Sequence, residues 1–146
     1  MAVFRFSLEQ VLRYRKQLEE EAMQALAKAR ADLEACEEAI RRYAAELMEQ
    51  RAAMSRADTL GSEERWLISG YIHSLNCDLD LARERRILLE EEVDRRRADL
   101  VQRAQDSSLL EKLKARQAER FARAQQLQEQ NTYDEIATLR FVPQAR

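Results

Sequence analysis

Two glycines and one proline are all that this chain of 146 residues offers for tight turns, and the proline, Pro143, stands near its C-terminal edge. So few turn formers cannot supply the loops of a sheet protein or a glycine-lined ligand cradle. Aromatic residues make up only 6%, which argues against a sizeable globular core and against a deep enclosed active site. No apolar run approaches the ~20 residues of a membrane span. Trp66-Leu67-Ile68 is bounded by charge and small polar residues, so any membrane association is expected to go through a partner. Cys36 and Cys77 are isolated, and no signal-peptide pattern precedes them. They are expected to be reduced, structural thiols of a cytosolic protein.

Catalytic constellations are equally scarce. His73 is the only histidine, flanked by Ser69, Ser74 and Cys77. His73 and Cys77 share a helix face, but two ligands do not make a structural zinc site, so no metal and no cofactor is expected. The carboxylates fall in solvated runs such as Glu19-Glu20-Glu21 and Glu90-Glu91-Glu92, where nothing desolvates a pair for acid–base work. There is neither a phosphate-binding glycine loop nor a dinucleotide fingerprint. An interaction protein is expected, not an enzyme.

The formal net charge is −2. Residues 1–30 carry six positive and four negative side chains and 111–146 carry seven and five, which leaves −6 for residues 31–110. The middle is acidic and both terminal regions are mildly basic, a hint of where an acidic partner docks. Arg83, Arg85, Arg86, Arg95, Arg96 and Arg97 cluster, but Glu84 and the acidic run 90–92 lie among them. A solvated face with internal ion pairs accounts for them better than a nucleic-acid-binding basic region.

What the chain does have is helix formers: 22 alanines, 19 leucines and 21 arginines. The one interior cluster of turn signals is Asp58-Thr59-Leu60-Gly61-Ser62. Asp58 or Thr59 can close one helix, Gly61 tolerates a left-handed position, and Ser62 with Glu63 and Glu64 can start the next. Gly70 costs the second helix about 1 kcal/mol against alanine without stopping it. Ser7, followed by Gln10, reads as a capping box for the first helix.

Before the turn, Leu8, Val11, Leu18, Ala22, Leu26, Ala29, Leu33, Cys36, Ile40, Tyr43, Leu47 and Met54 recur at steps of three and four. Arg15 fills one seam position, and Leu18–Ala22–Leu26 reads as a stutter. After it, Ile68, Ile72, Leu75, Leu79, Ala82, Arg86, Leu89, Val93, Arg96, Leu100, Arg103, Ser107 and Leu110 alternate strictly between four and three, a coiled-coil signature. The three seam arginines are expected to snorkel to its edge.

These observations predict an all-α fold, a long antiparallel two-helix coiled-coil hairpin with an extended C-terminal helix, in a single domain over 1–146. The first helix is expected at about 5–58, the turn at about 59–62 and the second helix at about 63–140. With Asp58 facing Glu63, Leu8 meets Leu113, Val11 meets Leu110, Leu33 meets Leu88 or Leu89, Ile40 meets Leu81 or Ala82, and Leu47 meets Leu75. The second helix then runs past the start of the first, from about 117 to 140, as an unpaired extension carrying Phe121, Leu127, Tyr133, Ile136 and Leu139. An amphipathic helix without a cis partner is either a docking surface for a trans partner or a frayed tail.

The opening Phe4-Arg5-Phe6-Ser7-Leu8-Glu9-Gln10-Val11-Leu12-Arg13-Tyr14-Arg15, followed by Glu19-Glu20-Glu21, resembles the start of the flagellar FliJ family. So do Leu109-Leu110-Glu111-Lys112-Leu113-Lys114-Ala115-Arg116-Gln117, Asp134-Glu135-Ile136-Ala137 and Arg140-Phe141, and the resemblance covers essentially the whole chain. It implies a cytosolic component of the bacterial flagellar type III export apparatus, similar in fold to the coiled-coil stalk of the rotary ATPase gamma subunit and without catalytic residues. Such a protein enters the export ATPase ring and promotes its assembly and activity. It also contacts the cytosolic part of the membrane export gate, and in some members it binds export chaperones. The implied location is the cytoplasm, peripherally at the inner membrane through the apparatus.

Carried onto this chain, the resemblance points to the end holding both termini for the ATPase. Phe4, Phe6, Leu8, Leu110 and Leu113 have an evident alternative role in closing the coiled coil. Arg116, Gln117, Arg120, Phe121, Arg123, Asp134, Glu135 and Arg140 are the candidates for ring contact. Toward the middle and turn, Tyr43, Leu47, Trp66, Tyr71, Ile72 and Leu79 are the candidates for the gate. Tyr43, Leu47, Ile72 and Leu79 also lie on the seam and are equally candidates for core, whereas Trp66 and Tyr71 fit the surface better. Three rival readings stay open: an adaptor that recycles chaperones without acting on the ATPase, a stalk of a related secretion system or rotary ATPase, and a structural homodimeric coiled coil.

Overall fold

The structure, a computed structural model, describes residues 2–56 and 59–141, so Asp58 and Pro143 lie outside the described residues. It is all-α, with two long helices that pack together: α1, Glu9–Ser55, and α2, Ser62–Arg140. Their lengths are 47 and 79 residues. The chain forms two compact units, one joining the segment up to Glu19 with the segment from Gln102 onward, the other comprising Glu20–Val101.

Local chemistry sets the helix ends. The first i→i+4 bond of α1 runs from Leu12 N–H to the Leu8 carbonyl (2.9 Å), after a turn closed by Glu9 N–H on Phe6 C=O (3.2 Å). The cap position therefore falls on Leu8, one residue beyond Ser7, and residues 2–6 are not helical. At the other end of α1, the Ser55 hydroxyl donates to the Ala52 carbonyl at 2.9 Å and the Thr59 hydroxyl to the Arg56 carbonyl at 3.5 Å. The first bond of α2 is accepted by the Gly61 carbonyl from Arg65 N–H (3.1 Å), so Gly61 stands where Ser62 is expected to cap. No described glycine has a positive φ, which corrects the left-handed role expected for Gly61. α2 passes through Gly70 without a break.

In the Glu20–Val101 unit the helices are antiparallel, since higher numbers on α1 meet lower numbers on α2. Leu47, Leu75 and Leu79 form one cluster with Ile40, Tyr43, Ala44 and Ile72 packed against it. Leu26, Ala29 and Val93 form another, flanked by Leu33 and Leu100. Between them the buried Cys36 thiol donates to the Ala82 carbonyl at 3.3 Å. The two open register choices resolve the same way: Ala82 and Leu89 are half-buried, while Leu81 and Leu88 are turned to solvent. Each fully buried leucine contributes about 1.5–3 kcal/mol, so a narrow two-helix seam gains stability by repetition along its length.

The unit holding the termini departs from the expected seam. Leu12 is 3% exposed and Val11 42%, so Leu12, not Val11, is the core residue. Leu18 and Glu19 are both half-buried, and the line through Glu19 runs 12–15–19–22–26 in steps of three and four. Arg15 is half-buried on that line, 3.5 Å from Asp106.

Candidate functional site

Two stretches hold the candidate residues, one in each unit. In the unit holding the termini, the segment 2–6 is laid against α2. The Phe4 and Phe121 rings meet with centroids 5.7 Å apart, and the Gln125 amide donates to the Ala2 carbonyl at 3.0 Å. Phe6 beside them is buried. From Glu9 to Ala2 the chain steps back seven residues while its partner on α2 advances eleven, from Lys114 to Gln125. A non-helical segment rises up to ~3.3 Å per residue against 1.5 Å for a helix, so a short strap covers a longer stretch of α2. The expected unpaired extension therefore begins after Gln125, not at 117.

Two ion pairs brace the strap's base, Lys114 Nζ to Glu9 at 2.8 Å and Lys16 Nζ to Glu111 at 2.9 Å. The hydrogen bond from Lys114 holds the Glu9 carboxyl below its ordinary pKa, and the bond to Glu111 raises that of the Lys16 ammonium.

The ring-contact candidates divide on this geometry. Phe121 and Gln117 are half-buried on the strap side. Arg116 and Arg120 are exposed and make no ion pair among the described residues, while Arg123 pairs with Glu119 at 2.6 Å. Asp134, Glu135 and Arg140 are exposed on the last turns of α2. Around them Leu127, Tyr133, Leu139 and Phe141 are 60%, 70%, 74% and 85% exposed, and every described residue from Gln126 onward faces solvent. These four apolar side chains belong on the candidate surface as well. Their signal is that they recur in a stretch of α2 lying beyond the residues α1 and the strap can cover.

In the Glu20–Val101 unit, Leu47 and Leu79 are core residues at 7% and 3% exposure, and Tyr43 and Ile72 pack on them. Trp66 is 76% exposed and Tyr71 41%. The Tyr71 hydroxyl donates to the Glu46 carboxylate, which raises the phenol's pKa and fixes the ring across the two helices. Trp66 and Tyr71 are thus the members of this set able to meet a partner without unpacking the protein.

Five of the six clustered arginines are paired within α2. Arg83 pairs with Asp80, Arg86 with Glu90, Arg95 and Arg96 with Glu92, and Arg97 with Asp94, all within α2. Among the described residues no group of three or more His, Cys, Asp or Glu side chains could hold a metal, and no helix is long and apolar enough to cross a membrane.

No curated protein and no solved structure matches the chain. The family described as flagellar FliJ protein matches residues 4–146, a span that includes the strap from Phe4 on, both helices and the exposed end of α2. The chain belongs to the FliJ family, and with it to the non-catalytic components of the flagellar export apparatus.

Proposed function

We propose that this protein is the stalk-like activator of the flagellar export ATPase, docking to the ATPase ring through the C-terminal part of α2 and reaching the membrane export gate through the surface around Trp66 and Tyr71. The observation that carries the reading is the stretch from Gln126 to Phe141, helical through Arg140 yet without a cis partner. This end of α2 gains no stabilisation from packing within the described residues, and Leu127, Tyr133, Ile136, Leu139 and Phe141 are the apolar groups a partner would cover. Arg116 and Arg120, exposed and without an ion pair among the described residues, add positive charge ahead of that surface, suited to an acidic rim on the ring. Its place is the cytoplasm, held peripherally at the inner membrane through the apparatus.

The test is co-sedimentation of the export ATPase with three forms of the chain: full length, ended at Gln125, and carrying Arg116→Glu with Arg120→Glu. Ending at Gln125 preserves Phe121 and the Gln125–Ala2 bond, so the strap stays anchored. The reading expects loss of binding in the shortened form and weaker, salt-sensitive binding in the double variant. Undiminished binding by both contradicts it. An adaptor for export chaperones would instead bind chaperone through this surface and leave the ATPase alone.

A further inference from the structure

The strap has a fixed root and a lightly held tip. Phe6 is 7% exposed, and its carbonyl accepts the Glu9 N–H that leads into α1, so the root belongs to the core. Ahead of it, Ala2, Val3 and Arg5 face solvent. Among the described residues, 2–5 are held to α2 by the Phe4–Phe121 ring contact and the Gln125–Ala2 hydrogen bond. Phe4 and Phe121 are only half-buried, and the hydrogen bond is open to solvent. A segment with so few buried contacts lies at the low-stability end of a fold and opens without unfolding the rest.

What the tip covers is one end of a longer stripe. Phe121 and Leu139 are 18 residues apart. That spacing is about five helical turns, so both side chains project from one face of α2. Gln125, Thr132 and Ile136 fall within about 60° of the same line. At the far end of the stripe Ile136 and Leu139 stand exposed, while at the near end Phe121 is half-buried against Phe4. Phe121 is the one aromatic residue on the stripe, the kind of side chain that anchors the centre of an interface.

We propose that the strap tip is an autoinhibitory cover: the docking surface of α2 continues beneath residues 2–5 to Phe121, and the export ATPase gains that end of it by displacing them. The proposal rests on the ATPase-binding function assigned above to the end of α2. A chain with the tip closed offers the ATPase only the exposed stretch from Gln126 onward, whereas an open tip adds the Phe121 ring and the Gln125 amide on the same face. The apparent affinity for the longer surface is reduced by the fraction of molecules whose tip is open, so whatever loosens the tip strengthens binding. Phe6 keeps the root packed throughout, and the displaced segment stays tethered for reclosure.

The experiment measures the affinity of the full chain for the cognate export ATPase with the tip loosened and with the tip locked. Phe4→Ala removes the ring contact but leaves Phe121 in place, and it should bind about two- to tenfold more tightly than wild type with unchanged helical circular dichroism. The locked form carries Ala2→Cys and Gln125→Cys joined by a short disulfide-containing cross-linker, in a chain with Cys77→Ala, since Cys36 is buried. It should bind more weakly than the same chain after reduction has opened the link. Equal or weaker binding by Phe4→Ala, or a lock without effect, overturns the cover while wild-type binding still upholds the ATPase reading. Binding by none of these forms overturns both.

Discussion

Phe4 and Phe121, 117 positions apart in sequence, meet with ring centroids 5.7 Å apart and planes inclined at 49°. That contact fastens a non-helical segment to the long helix beyond the start of α1. It predicts coupling between the two positions. Phe4→Ala and Phe121→Ala should each destabilise the terminal unit, and the double variant should cost about 0.5–1.5 kcal/mol less than the sum. Urea denaturation of the four-member cycle measures this, and faster tryptic cleavage after Arg5 in either single variant reports release of the strap.

Leu12 and Val11 give a sharper packing test, because adjacent residues of similar chemistry are 3% and 42% exposed. Leu12→Ala should cost about 2–3 kcal/mol, while Val11→Ala should cost less than about 1 kcal/mol. Equal losses in chemical denaturation would mean that the seam runs through Val11 after all.

Most of the fold is legible in the sequence because a two-helix seam is written as a period, and α2 keeps that period from Ile68 to Leu110 even where Leu81 and Leu88 compete with the seam residues beside them. The start of α1 is ambiguous because Val11 and Leu12 are both apolar and adjacent, so only packing chooses between them. The strap is not legible at all. The first helix is expected from about residue 5, and nothing in the identity of Phe4 and Phe6 says that a non-helical backbone reaches farther along α2. The turn shows the same limit, since Gly61 and Ser62 both suit a helix start and the backbone places the first accepted hydrogen bond on Gly61. At the candidate surfaces, exposure separates Trp66 and Tyr71 from Leu47 and Leu79, which share their apolar character and neighbourhood but belong to the core.

The Glu9–Lys114 and Lys16–Glu111 pairs set a pH dependence with two edges. The Glu9 carboxyl is held below its ordinary 4.5, so its contribution is complete above that value and is lost as pH falls through the lowered pKa. The Lys16 ammonium is held above its ordinary 10.5, so its contribution is complete below that value and is lost as pH rises through the raised pKa. Glu9→Gln should therefore lower the melting temperature slightly at neutral pH, and the difference from wild type should close in strong acid. Because these side chains are solvent-exposed, 1 M salt should shrink the difference as well. A gap that is constant across pH and salt would show that the pairs do not carry it.

Gly70→Ala is expected to stabilise the protein by up to about 1 kcal/mol, since the helix is regular there and the added methyl meets no atom within 4 Å. A rise in melting temperature confirms that the glycine is not retained for the fold. A fall would reveal a neighbour that the open surface does not show.

The central claim is that the solvated end of α2 works on the export ATPase. The most direct measurement is steady-state ATP hydrolysis by the cognate export ATPase, titrated with the full chain and with the chain ended at Gln125. The expected result is stimulation by the full chain at less than one molecule per ATPase subunit and little or none by the shortened form, with both forms equally helical. An unchanged rate and unchanged ring assembly with the full chain would contradict it, and equal stimulation by both forms would move the contact off the end of α2.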